Sequence, residues 1–97
     1  MIKITETDTF SDWFHGLKDL RAKAHILIRI KRLEMGNWGD VKPVGKGVSE
    51  LRVDVGKGYR VYAMQRGSEV VLLLSGGNKK TQKKDIDKAL QMAKELK

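Results

Sequence analysis

Hydrophobic positions change their period along the chain, and the changes mark out the elements. Ile2 and Ile4 alternate with polar neighbours over Met1 to Thr5, the pattern of a short edge strand. Phe10, Trp13, Phe14 and Leu17 then recur at i, i+3, i+4 and i+7, which places four large side chains on one face of a short helix. Thr9 and Asp12 have the spacing of an N-terminal capping box, and Gly16 and Asp19 predict an end or bend before Leu20. The helical period resumes from Leu20 to Met35, with Ala22, Ile26, Ile30 and Leu33 on one face and Leu20, Ala24, Leu27 and Ile28 on an adjoining one. At about 100° per residue, only a narrow stripe of Arg21, His25, Arg29 and Arg32 is left polar. Gly36 and Asn37 stop that helix, and a glycine-rich connection containing Pro43 follows.

Beyond Gly47 the period is two. Leu51, Val53 and Val55 alternate with Glu50, Arg52 and Asp54; Gly56-Lys57-Gly58 supplies a hairpin turn; and Tyr59 to Arg66 forms the returning strand, with Val61 and Ala63 opposite Arg60, Tyr62 and Met64. After a turn at Gly67-Ser68, Val70 to Ser75 is continuously apolar, as a strand covered on both faces requires. Gly76-Gly77-Asn78-Lys79-Lys80 reads as a loop into a last helix, with Thr81 as N-cap and Ile86, Ala89, Leu90, Ala93 and Leu96 at helical spacing. The expected order is strand, two helices, three-stranded meander, helix: one α+β domain over residues 1–97. Met35, Met64 and Met92 read as core filler, and Trp38 as a plug at the core edge or in a partner groove.

Composition narrows the classes of function. The 97 residues contain no cysteine, which excludes disulfides and thiol catalysis, and only His15 and His25 are available as imidazole ligands, so no metal or other cofactor is expected. The longest apolar stretch, Val70 to Leu74, is too short to span a bilayer, and Met1 to Asp8 lacks the regions of a signal peptide, so the cytoplasm is the expected location. The formal net charge of +8 points to a polyanionic partner. That excess is localised. Arg21 to Glu34 carries five cations against one acid, Lys42 to Arg66 six against two, and Lys79 to Lys84 four lysines with none.

Two regions carry candidate chemistry. On the second face of the meander stand Glu50, Arg52, Asp54, Arg60 and Tyr62; arginine forks match phosphate geometry and a tyrosine ring can stack an unpaired base. The bland alternative is a solvated face on which Glu50 and Asp54 neutralise Arg52 and Arg60. At Gly76 to Lys84, lysines crowd a helix N-terminus whose dipole opposes them unless an anion binds, and two glycines would let backbone N–H groups approach a phosphate that Lys79, Lys80 and Gln82 reach. The alternative there is a flexible surface loop. Neither histidine falls with these groups by pattern.

Three strings add a resemblance. Arg29 to Gly45 (RIKRLEMGNWGDVKPVG), Gly47 to Tyr62 (GVSELRVDVGKGYRVY) and Val70 to Ala89 (VVLLLSGGNKKTQKKDIDKA) closely resemble HigB-like, phage-derived addiction-module killer proteins of the RelE/ParE toxin superfamily, over nearly the whole chain from Phe10. The resemblance implies a RelE-like fold: two N-terminal helices packed on a small antiparallel sheet that the first strand joins, and a C-terminal helix. It implies a toxin neutralised by a co-expressed antitoxin, usually a HigA-like helix-turn-helix protein. Toxins of this kind cleave messenger RNA in the ribosomal A site or, in the ParE branch, poison DNA gyrase. Arg60 matches the arginine that holds the scissile phosphate, Arg52 the arginine of the neighbouring strand, and Lys79 with Gln82 the loop after the glycine pair. The expected catalytic set is Arg60, Arg52, Lys79 and Tyr62, with Lys57, Lys80, Gln82 and Lys83 binding RNA. Where RelE has a C-terminal tyrosine this chain reads Asp85-Ile86-Asp87, so the general base stays open among Tyr62, Lys79, Lys80 and a carboxylate. A gyrase inhibitor and a non-toxic RNA-binding domain are the rival expectations.

Overall fold

A five-stranded mixed sheet separates two layers of helix in the computed structural model, which describes residues 1–96. The elements are β1 (Lys3–Glu6), α1 (Asp8–His15), α2 (Leu20–Glu34), β2 (Val41–Gly45), β3 (Val48–Val53), β4 (Tyr59–Arg66), β5 (Val70–Asn78) and α3 (Gln82–Glu95), with one turn of 3-10 helix at Lys79–Thr81 leading into α3. Spatial order is β1-β5-β4-β3-β2. The last four strands form an antiparallel meander, while β1 lies parallel to β5, so the sheet is mixed where an antiparallel one was expected.

Strand alternation sends two separate sets of side chains to the two helical layers. Leu51, Val53, Val61, Ala63, Val71 and Leu73 are buried with Phe10 of α1 and Ala22, Ile26 and Leu33 of α2. Val48, Tyr62, Met64, Leu72 and Leu74 face the other way, where Ala89 and Ala93 bring α3 close and Ile86 and Leu90 pack beside them. The aromatic stripe of α1 is a seam, with Phe10 and Phe14 stacked at 6.0 Å between ring centroids. No described helix is long and apolar enough to cross a membrane.

Four expectations need correction. The connection around Pro43 is strand β2; its brevity, its bulge between Pro43 and Gly45 and its proline are tolerated because it is an edge strand. Helix α1 is capped by Thr7, whose hydroxyl accepts from Phe10 N–H at 3.0 Å, and starts at Asp8, ahead of the Thr9/Asp12 pair. The entry to α3 is capped at Asn78, which accepts from Lys80 and Thr81 N–H while Thr81 returns a bond to the Asn78 backbone; Thr81 itself caps nothing with its side chain at the start of α3. Met35 is 78% exposed at the end of α2, whereas Met64 is buried in the α3 layer.

Gly76 and Gly77 are strand residues, paired with Val61 and Arg60. A Cβ on Gly76 would lie 2.3 Å from the ring of Trp13, and one on Gly77 1.8 Å from Asp85 Oδ2. Both lie well inside van der Waals contact. The glycine pair therefore serves close packing, since it lets α1 clamp one face of β5 while the first turn of α3 clamps the other, and it is not a phosphate-cradling loop.

Candidate functional site

The β3–β4 register sets Arg52 directly opposite Arg60 and, one pair further in on the same face, Glu50 opposite Tyr62. Helix α3 covers this face as far as its first residue, Gln82. Glu50 and Tyr62 lie under it, fully buried, and the arginines stand at its margin. Like charges facing each other across a ladder are unfavourable, and the fold supplies each with its own counter-charge. Arg52 Nη2 donates to Asp40 Oδ1 at 3.0 Å, an exposed pair of small energetic weight. Arg60, whose side chain is only 11% exposed, has Nε 3.7 Å from Glu50 Oε2.

Glu50 is the centre of a buried network. Its carboxylate accepts from Tyr62 O–H at 3.0 Å and from Gln82 Nε2 at 3.0 and 3.2 Å. Burial, then the Glu50 charge and the hydrogen bond to it, push the Tyr62 phenol far above its ordinary pKa, against a smaller opposing pull from Arg60. Two expected roles are thereby corrected. Tyr62 has no exposed ring face on which a base can stack, and a phenol so hard to ionise is a poor proton-transfer group near neutral pH. Gln82 has committed its amide to Glu50, joining the first turn of α3 to the sheet, and is not free to grip a phosphate.

Lys79 arrives from the other side. The Gly58 carbonyl accepts from Lys79 N–H at 2.7 Å and from Arg60 Nη1 at 3.1 Å, so one peptide group in the β3–β4 turn fixes both. Gly58 sits at φ +75°, and a Cβ there would meet Lys79 Cβ at 3.5 Å and Arg60 Nη1 at 3.8 Å; the glycine serves the turn conformation above all. Around these groups is a cleft of about 220 Å³ lined by Asp40, Arg52, Asp54, Gly58, Tyr59, Arg60 and Lys79. Arg52 of β3, Arg60 of β4 and Lys79 of the turn after β5 thus share one cavity. Lys57 and Lys80 border an adjoining hollow with Asn78 and Lys79 and extend the basic surface. Lys83 lies beyond it, in a hollow with Lys80, Thr81, Lys84 and Asp87.

Two contributors to the cleft lack a sequence signal. Asp40 belongs to an irregular turn, and its partner Arg52 is twelve residues away. Arg29 reads as part of a solvated basic stripe, yet its guanidinium donates to the backbone carbonyls of Arg52, Trp38 (2.9 Å) and Asp40 (3.1 Å). It ties α2 to the two chain segments that carry the Asp40–Arg52 pair. Burial lowers its pKa, Asp40 counteracts this, and Arg32 adds to the lowering. His15 and His25 are both exposed and take no part in lining the cleft. Chemically, the site offers clustered cations with two carboxylates at hand, a setting for a phosphate diester.

Residues 12–96 match the family model described as phage derived protein Gp49-like (DUF891). An uncharacterized protein of Haemophilus influenzae is 54% identical over 95 residues, covering 98% of this chain and 96% of the relative. The solution structure of the conserved hypothetical protein HP0894 from Helicobacter pylori superposes with a TM-score of 0.54 at 15% identity, over 82% of this chain and 97% of that one, a likeness of fold.

Proposed function

Because the chain belongs to the family of Gp49-like phage-derived proteins, which is linked to the toxins of toxin–antitoxin modules, we propose that it is a toxin of RelE/HigB type acting as a ribosome-dependent messenger RNA endoribonuclease. The observation that carries this reading is the convergence of Arg52, Arg60 and Lys79 on one cleft. RNA brings its own nucleophile: a ribose 2′-OH attacks the adjacent phosphorus, the bond to the 5′-oxygen of the next nucleotide breaks, and a cyclic phosphate is left. Such a reaction needs cations for the developing charge, a base for the 2′-proton and an acid for the leaving oxygen. Arg60 and Arg52 carry the charge and Lys79 holds the phosphate. Tyr62 acts from beneath, as an anchor for the carboxylate that faces Arg60. The proton-transfer candidates that line the cleft are Lys79, Asp40 and Asp54.

Lys57 and Lys80 extend the track for the RNA strand, and Lys83 adds longer-range attraction. The expected setting is the cytoplasm, the expected partners are the ribosome with its message and a cognate HigA-like helix-turn-helix antitoxin, and no metal or other cofactor enters the scheme.

The test is induced expression with genome-wide mapping of new messenger RNA 5′ ends, comparing wild type with Arg60→Ala and Lys79→Ala, each checked for folding by circular dichroism. Loss of one charge-stabilising donor lowers rates on the order of 100-fold, so new ends within reading frames should nearly vanish in a folded Arg60→Ala. Growth arrest with intact messages and DNA damage would replace this reading by gyrase poisoning; absence of arrest would leave an RNA-binding domain.

A further inference from the structure

Of the two carboxylates that line the cleft, one is already committed. Asp40 is paired with Arg52 at 3.0 Å. Asp54 is exposed, and among the described residues its carboxylate meets neither a hydrogen-bond donor nor a cation at ion-pair distance. It stands in the most basic part of the sheet, where the stretch from Lys42 to Arg66 has six cations and only one other acid, the buried Glu50. An unpaired negative charge there weakens the grip on any phosphate. Such a group earns a place in a phosphate site by what it discriminates, because a charge left without a donor penalises every ligand that brings none.

Position says which part of the ligand Asp54 faces. Period-two alternation sets Glu50, Arg52 and Asp54 on one face, in that order outward from beneath α3. Arg52 and Arg60 stand opposite each other across the ladder, and Asp54 follows two residues on, about 6–7 Å further at ~3.3 Å per residue. A phosphate held between the two arginines therefore leaves Asp54 one side-chain step out, beside the nucleoside attached to it. The cleft, at about 220 Å³, is smaller than the ~300–1,000 Å³ of sites that enclose a whole small molecule, so it takes a phosphate and one edge of an unpaired base.

We propose that Asp54 selects the base beside the bound phosphate, and that the base it selects is guanine. A carboxylate only accepts hydrogen bonds, through two oxygens side by side. Guanine alone offers two adjacent donors on its Watson–Crick edge, N1–H and the N2 amino group. Adenine and cytosine each place an acceptor nitrogen next to their amino group, and uracil flanks its single N3–H with two carbonyls, so one carboxylate oxygen would face a lone pair. The inference rests on the reading of the cleft as an RNA site and adds its base preference. Lys79 and Asp40 remain the groups for proton transfer.

The probes are the 3′,5′-bisphosphates of guanosine, adenosine, cytidine and uridine, which carry the same phosphates and differ only in the base. Each is titrated into the isotope-labelled full chain while amide shifts at Arg52, Asp54, Arg60 and Lys79 are followed. The guanosine compound should bind at least ~10-fold tighter than the other three, the discrimination of one good bidentate pair. Asp54→Asn should bring the four affinities within about 3-fold of one another; the ratio carries the test, since removing a negative charge tightens every anion. Asp54 is exposed and unbonded, so this variant should keep the wild-type melting temperature. Arg52→Ala should weaken all four compounds with the guanosine ratio retained. In the mapping of new messenger RNA ends, wild-type cuts should lie beside guanosine, and those of Asp54→Asn should lose that bias. Equal binding of the four bases overturns the selectivity and leaves the cleft an RNA site; no binding of any of them at the cleft overturns both readings. Cutting abolished at every sequence by Asp54→Asn, with the guanosine ratio unchanged, would make Asp54 a proton-transfer group and overturn its role in selection.

Discussion

Replacing Glu50 by alanine should be among the most damaging single changes in the molecule, although Glu50 never touches solvent. The substitution strands three donors at once: Tyr62 O–H at 3.0 Å, Gln82 Nε2 at 3.0 Å and the Arg60 guanidinium at 3.7 Å. Leaving a buried neutral donor unpaired costs about 1–3 kcal/mol, and breaking a buried ion pair by deleting one partner about 3–5 kcal/mol. These contributions overlap, since the donors share one acceptor, and the 3.7 Å separation places the ionic part at the lower end, so about 3–5 kcal/mol in all is expected. For a domain of this size that is roughly 15–30 °C in melting temperature. Glu50→Gln keeps the shape and one acceptor oxygen and should lose about half as much; Tyr62→Phe, which removes one donor, about 1 kcal/mol. Urea unfolding followed by Trp13 and Trp38 fluorescence measures all three, and a cycle with Glu50→Ala/Tyr62→Phe should show at least ~0.5 kcal/mol of coupling. If Glu50→Ala falls within about 1 kcal/mol of wild type with no coupling to Tyr62, the carboxylate is not the anchor described and the account of Arg60 fails with it.

Tyr62 makes stability depend on alkaline pH: the contribution of its neutral phenol is complete below the ordinary tyrosine value of 10.0 and is lost as pH rises above it, because the unfolded phenol ionises there and the folded one does not. Tyr62→Phe should therefore show a shallower loss of stability than wild type above pH 10.0, and parallel curves would contradict the burial. Gly76→Ala drives a methyl into the Trp13 ring and should cost about 1–3 kcal/mol in thermal unfolding, with partial relief from Trp13→Leu; a neutral Gly76→Ala would mean that α1 does not clamp β5 there. Asp40→Ala frees Arg52 at the loss of an exposed pair worth roughly 0–1 kcal/mol, so stability should hardly change while single-stranded RNA binds up to ~5-fold tighter by fluorescence anisotropy; weaker binding would place Asp40 among the groups that hold RNA. Arg29→Lys should destabilise nearly as much as Arg29→Ala, since an ammonium lacks the planar fork that reaches three carbonyls, and rescue by lysine would refute that bracing role.

The sequence by itself determined the elements whose physics is local. Side-chain period reports which face of a helix or strand is apolar, and so the aromatic seam of α1, the extent of α2 and the three strands from Val48 onward were legible. Arg52, Arg60 and Lys79 could be singled out as residues, since charge type and turn glycines are written in the chain. Tertiary structure decided what period cannot carry. Pro43 and its neighbouring glycines obscure a strand that is permitted only because it lies at the sheet edge. Gly76 and Gly77 have the composition of a loop, and it took Trp13 and Asp85, distant in sequence or on another layer, to make them strand. Glu50 and Tyr62 alternate with apolar residues as solvent-facing groups do; their burial follows from where α3 lands, which is set by the apolar side chains of Val48, Met64, Leu72 and Leu74 and not by any feature of residues 50 or 62. Polar groups carry no mark of whether they will be covered. Leu27 and Ile28 show the converse, for nothing in their helical spacing tells that the layer ends before it reaches them.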